Sequence, residues 1–390
     1  MVKKLYFPVF GSGLGHASRM VEVANKLTTL GYQIVFSTSG EAVDYIERSG
    51  YKCFRIPNLD VGWTPSGKFE GLLRTSKKLP WNIALFIRQI IEERKILQIW
   101  TPHLVISDSR LSAIFAAKSL GIPSVVVTNQ LRVMLPPKKR TKRTRPIERL
   151  LNEILGNFWF ISKKIYFPDI PPPLTISEES LWHISSVRKK SKYIGFIIKS
   201  KNSQTTSNHL YDKLKLSKEK PVVFAQISGP SLTKPRILQL LLKVSKEISS
   251  KTQIIISEGN PNGSIIPKRI NGALYYEWCP IINDLYNIAD LLILRGGHST
   301  LGQVMPLAKP LILIPIADHS EQISNVIKIS KIGSGLWLDP TTISSGKIIQ
   351  SINTVLKDQS FKAQAKQLAA TSKRYNGLEN LQIEIIKLTK

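Results

Sequence analysis

The stretch Leu291-Leu-Ile-Leu-Arg-Gly-Gly-His-Ser-Thr300 decides the fold of the second half of the chain. It runs on through Leu-Gly-Gln303-Val-Met-Pro-Leu-Ala-Lys-Pro310 into the apolar run Leu311–Ile314 and Pro315. A short apolar run that breaks into two glycines and then Ser-Thr reads as a buried strand, a tight turn and the start of a helix. Glycines let the backbone approach a ligand closely, amides at a helix start suit a pyrophosphate, and Arg295 adds a fixed cation. Farther on come Asp318-His-Ser-Glu-Gln322 and Asn325, and Glu321 and Gln322 supply acceptors and donors for a hydroxyl-rich group. These are the parts of a nucleotide-sugar site, and a purely structural turn would not need them.

Around this stretch, strands and helices alternate. Pro221–Ile227 reads as a strand, Ser228-Gly-Pro-Ser231 as a loop and Ile237–Ile248 as a helix. Further strands are expected at Gln253–Ile256, Gly272–Tyr276, Leu291–Leu294 and Leu311–Ile314, and a helix over 360–388. The first half repeats the pattern. Strands are expected at 4–10, Tyr32–Ser37, Pro102–Asp108 and Pro123–Thr128, with helices from Ala17 to Gly31, from Gly40-Glu41, and over Leu111–Leu120. Such alternation argues for two parallel α/β domains with crossover helices, and domains of this kind hold a ligand at the carboxyl ends of their strands. Pro168-Asp-Ile-Pro-Pro-Pro173 reads as a stiff extended connector, and the polar stretch Lys199–Ser207 places a domain joint between 168 and 218.

The loop Gly11-Ser-Gly13-Leu-Gly15-His16 joins the first strand to the first helix, where its amides and the helix start can receive an anion. Its spacing differs from the dinucleotide fingerprint Gly-x-Gly-x-x-Gly, and Phe36-Ser-Thr-Ser39 stands where a ribose-binding acid would close the second strand. It also lacks the Gly-Lys-Ser/Thr of a P-loop. A histidine at the carboxyl end of a strand can serve as a general base near neutral pH. Asp108 ends another strand of the same sheet, so it can orient that imidazole; otherwise it caps the helix after it.

The 390 residues contain 42% hydrophobic and 21% charged residues, the balance of a chain with a real core. Two cysteines make neither a disulfide framework nor a zinc site and suit a reducing cytosol. No apolar run approaches the roughly 20 residues of a membrane span, and Pro8 and Gly11 interrupt the N-terminal apolar stretch too early for a signal peptide. The charge is less ordinary: 55 Lys+Arg against 27 Asp+Glu give +28, a field that attracts polyanions, anionic lipid or phosphorylated small molecules.

Over most of its length the chain resembles a GT-B glycosyltransferase. The likeness is to the group that contains the lipid-linked N-acetylglucosaminyl transferase of peptidoglycan synthesis, diacylglycerol glycosyltransferases and plant UDP-glycosyltransferases. It is strongest over 291–325, which resembles the donor signature Gly-x-x-Thr-x-x-Glu, Gly-x-Pro, strand, Pro, acid-Gln-x-x-Asn. The spacing of Gln303, Pro310, Pro315 and Glu321-Gln322-Ile-Ser-Asn325 fits it. The resemblance implies two Rossmann-like domains facing across a cleft, with an acceptor-binding domain over 1–197, a donor-binding domain over 198–369, and a C-terminal helix of about 370–390 returning to the first domain. Gly297, His298, Ser299 and Thr300 would bind the diphosphate, with Arg295 in place of a phosphate-contacting histidine. Gln303 stands where the family usually has a ribose-binding glutamate, a departure that bears on the donor. Glu321 and Gln322 would serve the donor sugar, Trp278 and Cys279 the uracil, and Ser228, Gly229 and Ser231 the phosphates, with Gly13, Gly15, Gly296 and Asn325 also donor-binding. His16 matches the family's general base and Asp108 its partner acid.

The resemblance further implies an inverting transfer from a UDP-sugar, with no cofactor. The chain has no Asp-x-Asp for a metal and no pair of glutamates seven residues apart, the spacing of retaining relatives. The basic run Lys138, Lys139, Arg140, Lys142, Arg143 and Arg145 lies between Leu131–Leu135 and the apolar positions Ile147, Leu150, Leu151, Ile154 and Leu155, with Phe158-Trp-Phe160 beyond them. Cations beside an amphipathic stretch suit an anionic membrane surface and a hydroxyl acceptor carried on a polyprenyl or glycerolipid, and the alternative is a solvated loop. The expectation is a cytoplasmic protein peripheral to the inner face of the cell membrane. Rival readings are a UDP-N-acetylglucosamine 2-epimerase-like enzyme and a non-catalytic nucleotide-sugar- or polyanion-binding protein. Nucleic acid is disfavoured, because no helix-turn-helix, zinc spacing or aromatic RNA-binding signature is present.

Overall fold

A computed structural model of the chain describes residues 2–11, 13–58, 79–132, 134–135, 140–181, 187, 189–198 and 207–390. These residues form two compact units, the first holding the N-terminal half together with Arg374–Lys390 and the second the rest of the C-terminal half.

In the first unit the strands are β1 (Lys4–Pro8), β2 (Gln33–Thr38), β3 (Cys53–Arg55), β4 (Leu104–Asp108), β5 (Ser124–Val127), β6 (Lys164–Phe167) and β7 (Ser191–Tyr193). The helices that connect them include α1 (Leu14–Thr28), α2 (Glu41–Arg48), α3 (Leu79–Trp100), α4 (Leu111–Ser119) and α5 (Thr144–Trp159). The described strands pair in parallel in the order β3-β2-β1-β4-β5-β6-β7. Strands buried on both faces read as continuous apolar runs, and β4 (Leu-Val-Ile-Ser-Asp) is buried at every position. The order reverses between β1 and β4, and the crevice beyond the carboxyl ends of two such strands is where doubly wound sheets bind ligands.

In the second unit the strands are β8 (Val222–Gln226), β9 (Gln253–Ser257), β10 (Lys268–Ile270), β11 (Ala273–Tyr276), β12 (Leu291–Leu294), β13 (Leu311–Leu313) and β14 (Gly335–Trp337). Their order is β10-β11-β9-β8-β12-β13-β14, parallel except for the β10–β11 pair. Here the reversal falls between β8 and β12. The helices α6 (Pro235–Ile248), α7 (His298–Val304), α8 (Ser320–Ile332) and α9 (Ser345–Lys357) pack on this sheet or lead out of its strand ends.

Two expectations need correction. Residues 168–173 are no connector: they fold back inside the first unit around the buried Asp169. Its carboxylate accepts from the amides of Ile170 (2.8 Å), Ile176 (3.2 Å) and Ser177 (2.8 Å) and from the Ser177 hydroxyl (2.6 Å). The tail is two helices, α10 (Gln359–Lys373) and α11 (Gly377–Leu388), because Asn376 breaks the run and caps the second by accepting from the Glu379 amide. Helix α11 packs in the core of the first unit through Leu378, Leu381 and Ile385. Gly377 has to be a glycine there, since a Cβ would sit 2.1 Å from the Gly195 carbonyl oxygen.

Candidate active site

The site in the first unit grows from the ends of β1 and β4. Past Pro8 the chain stays beside β4: Val9 bridges to Asp108, and the Phe10 amide donates to the Asp108 carbonyl at 3.0 Å. Gly11 then passes so close to the end of β2 that a Cβ would lie 2.1 Å from the Ser39 Oγ. Gly13 turns the chain into α1 with φ 75, a conformation that favours glycine. Gly15 already lies within α1, and His16 comes next in its first turn.

His16 is about a quarter exposed and Asp108 fully buried, and Nδ1 lies 2.8 Å from Oδ1. An ionised carboxylate can only accept, so Nδ1–H donates to it, and in a neutral ring of that tautomer the lone pair is on Nε2. Asp108 is therefore no helix cap; its oxygens serve His16 and Arg19. From the next turn of α1, the Arg19 guanidinium donates Nε to Oδ2 and Nη2 to Oδ1, both at 2.5 Å, and Nη1 to the Asn129 Oδ1 at 3.1 Å. Burial by itself would raise the Asp108 carboxyl, but the charge of Arg19, the electrostatic pull of His16 and the hydrogen bonds of both bring it down to about 2. Ser109, directly after it, adopts φ 56, so the chain leaves β4 through a left-handed residue beside the reactive group.

Beneath this layer lies a second charged network. Glu93 of α3 is fully buried and accepts from the Tyr6 and Ser37 hydroxyls and from Arg110 Nε at 3.2 Å. Arg110 also donates Nη1 to the Val9 carbonyl at 3.1 Å. Burial pushes the Glu93 carboxyl up, with Arg110, Tyr6 and Ser37 pulling against it. This network ties α3 to the strand ends that carry the site. Neither Arg19 nor Glu93 was among the residues expected from the sequence.

In the second unit, Arg295, Gly296 and Gly297 form the turn after β12, and of the other expected residues Asn325 is hydrogen-bonded to it. Gly296 has φ 82, and a Cβ there would lie 2.3 Å from Val326 Cγ1. Its carbonyl accepts from the Asn325 amide at 3.1 Å, which makes Asn325, fully buried, a brace for the turn. Gln322 is buried too, and its Oε1 accepts from the Ile316 amide at 2.8 Å. Gly297 caps α7, and the space where a Cβ would point is open. His298 is buried, while Ser299, Thr300 and Gln303 are half-buried, as is Glu321.

Arg295 differs from its neighbours. It is 5% exposed, its Nη1 reaches the Thr233 carbonyl only across a long 3.4 Å, and its buried Nε has no partner among the described residues. Burial lowers it to about 10. A buried guanidinium with unused donors is costly unless an anion completes it. The Thr233 contact ties it to the turn that follows the loop Ser228-Gly229-Pro-Ser231, whose Gly229 has φ 118. Asp318 (φ 64) and His319 come after β13, and burial lowers the His319 imidazole, with Arg295 adding to the effect against Glu321. Trp278 is half-buried, and its amide donates to the Ser264 carbonyl; Cys279 is buried, its thiol pushed up to about 12 by burial, and it is packed rather than reactive.

The basic segment divides. Lys138 and Lys139 lie outside the described residues. Arg140 is turned inward, its Nε 3.0 and 3.1 Å from the oxygens of the buried Glu148 carboxylate, which also accepts from the Leu135 amide. Arg140 is thereby removed from the group available to a membrane or acceptor. Lys142, Arg143 and Arg145 are on the surface.

Known proteins match both halves of the chain. Residues 226–381 match the glycosyltransferase family 28 C-terminal domain, and residues 3–152 match a glycosyl transferase family 1 domain. An uncharacterized glycosyltransferase of Methanosarcina mazei is 26% identical over 384 residues, covering 96% of this chain and 95% of that protein. The UDP-N-acetylglucosamine–N-acetylmuramyl-(pentapeptide) pyrophosphoryl-undecaprenol N-acetylglucosamine transferase of Clostridium botulinum is 23% identical, covering 97% of this chain and 98% of that one. A spinosyn rhamnosyltransferase solved with thymidine diphosphate superposes with a TM-score of 0.68 at 16% identity, over 99% of this chain and all of that one, a likeness of fold. The chain belongs to the GT-B glycosyltransferases.

Proposed function

We propose that the enzyme is an inverting, metal-independent glycosyltransferase that moves a hexose or N-acetylhexosamine from a UDP-sugar to a hydroxyl of a lipid-linked acceptor at an anionic membrane surface. The observation that carries the reading is the His16–Asp108 pair at the switch point of the first sheet. With Nδ1–H held by Asp108, Nε2 takes the proton of the acceptor hydroxyl. The oxygen attacks the anomeric carbon as its bond to UDP breaks, which inverts that centre. Charge then develops on the leaving diphosphate, and Arg295, with an unused donor beside the Gly296-Gly297 turn, is the cation suited to it. A fixed cation in that role supplies what a metal would supply elsewhere. The uridine donor is supported by the name of the Clostridium relative.

The membrane part rests on surface composition. Helix α5 leaves Ile147, Leu150, Leu151 and Ile154 about half exposed or more, at helical spacing, and α3 does the same with Trp81, Ile83, Ile87 and Ile91. Phe86, Phe115 and Phe158, one each from α3, α4 and α5, stack edge to face at 5.9 and 5.4 Å and join the helices into one surface. Lys142, Arg143, Arg145 and Arg149 flank it. Among the described residues no helix is long and apolar enough to cross a membrane.

The test is release of UDP from UDP-N-acetylglucosamine and UDP-glucose in the presence of anionic phospholipid vesicles carrying diacylglycerol or polyprenyl phosphate. Transfer to one of these lipids is expected, and His16→Ala should lower it about 10²–10⁴-fold while UDP still binds. Turnover by His16→Ala equal to that of the native enzyme would overturn the mechanism.

A further inference from the structure

Arg19 stands three residues after His16 on α1, so the two side chains share a face of the helix. It is 5% exposed, and its guanidinium spends itself within the site: Nε and Nη2 on the two oxygens of Asp108, Nη1 on Asn129. Nη2 also lies 3.0 Å from His16 Nδ1, the nitrogen that points at Asp108. Oδ1 of Asp108 thus accepts from an imidazole and a guanidinium at once. Among the described residues, the groups shown in contact with the His16 ring are Asp108 from β4, Arg19 from α1 and the uncharged Phe10 ring, 5.7 Å away.

We propose that Arg19 is a positioning residue that keeps His16 uncharged and in the Nδ1–H tautomer by supplying the counter-charge of Asp108. This rests on the reading of His16 as the base. A buried carboxylate paired with a histidine alone favours the imidazolium, and an imidazolium has no lone pair with which to accept a proton. Here the carboxylate already carries a bidentate cation, so it orients the ring without needing to charge it. The guanidinium beside Nδ1 disfavours a second positive charge directly, and the two effects act in the same direction. Asn129 fixes the third nitrogen, which keeps the fork on Asp108 instead of turning toward Nδ1. Were Nη2 to donate to Nδ1, the proton would sit on Nε2 and the base would be lost.

Long-range ¹H–¹⁵N spectra of the imidazoles across a pH titration test this without any substrate. One of the six histidines is assigned to His16 by its loss in His16→Gln. The native protein is expected to show His16 neutral with the proton on Nδ1 at neutral pH. In Arg19→Met its titration midpoint should move to higher pH by about one unit or more, and Arg19→Lys, which restores a charge without the fork, should recover part of that shift. An unchanged midpoint in a folded Arg19→Met protein would overturn the proposal. So would a native His16 that is Nε2-protonated or an imidazolium at neutral pH, and that observation needs no variant to fold. The titration reads the ring whether or not transfer is found, so absence of turnover with the shift present would count against the function alone.

Discussion

Asp108 pairs with both Arg19 and His16, and that makes acid stability predictable. Its folded pKa of about 2 lies below the roughly 3.9 of an unfolded aspartate. The stabilisation from this shift, about 2–3 kcal/mol, is therefore complete above pH ~4 and is lost as pH falls through about 2. In Asp108→Asn, Arg19 is left buried against an amide, a change expected to cost about 3–5 kcal/mol at neutral pH. The same variant should lose less stability than the native protein between pH ~4 and ~2. Urea unfolding at both ends of that window measures both effects, and equal acid slopes would show that the carboxylate is not the titrating group. Asp108 was legible in the sequence as a polar residue ending an apolar strand of a parallel sheet, and His16 as the histidine that follows the glycine loop between the first strand and the first helix. Arg19 was not legible: on an amphipathic helix, an arginine among Ser18, Glu22 and Lys26 reads as solvent-facing. The one signal was its spacing of three from His16, which puts both on one face.

At the scale of elements, the strands that were legible are those buried on both faces, such as β8, β9 and β12, where Val-Val-Phe-Ala, Ile-Ile-Ile and Leu-Leu-Ile-Leu leave no periodicity to misread. The edge strands β3, β7, β10 and β14, of three residues each, and β6 with four, carry too little pattern to stand out. Helix α3 was missed for the opposite reason. Leu-Pro-Trp-Asn-Ile-Ala-Leu-Phe-Ile is apolar nearly all round, because one face packs on the sheet through Ile96 and Leu97 while another exposes Trp81, Ile83, Ile87 and Ile91. The outer face of α5 obeys the same logic and yields a prediction. Leu150 is 63% and Ile154 48% exposed, so Leu150→Asp with Ile154→Asp should change unfolding free energy by less than about 1 kcal/mol in total. Co-sedimentation with anionic vesicles should nonetheless fall at least several-fold, through lost apolar contact and added negative charge. Binding that survives the double substitution would place the membrane contact elsewhere.

For the whole molecule, the alternation of strands and helices was enough to give two doubly wound sheets, and the residues that matter cluster where each order reverses: β1 against β4, and β8 against β12. The turn after β12 stood out in the sequence as the richest in ligand-type residues. Its pattern could not show that the Asn325 side-chain amide braces that turn and that Gln322 holds the Ile316 amide after β13, nor that Arg295 Nε, like Asn325 Oδ1, has no partner among the described residues. The net charge of +28 raises the local concentration of any anion, so a nucleotide titration has to be run at physiological salt and above to separate the site from the field. The turn after β12 is proposed to bind the diphosphate of a uridine donor through Arg295. Calorimetric titration of the full chain with UDP, beside dTDP, ADP and GDP, tests it in native and Arg295→Met proteins. Selective binding of UDP is expected, weakened about 10-fold or more in Arg295→Met, by a variant that unfolds no more easily than the native protein because a partly unpaired buried cation has been removed. Equal UDP affinity in the two folded proteins, or no binding of any of the four nucleotides, would contradict it.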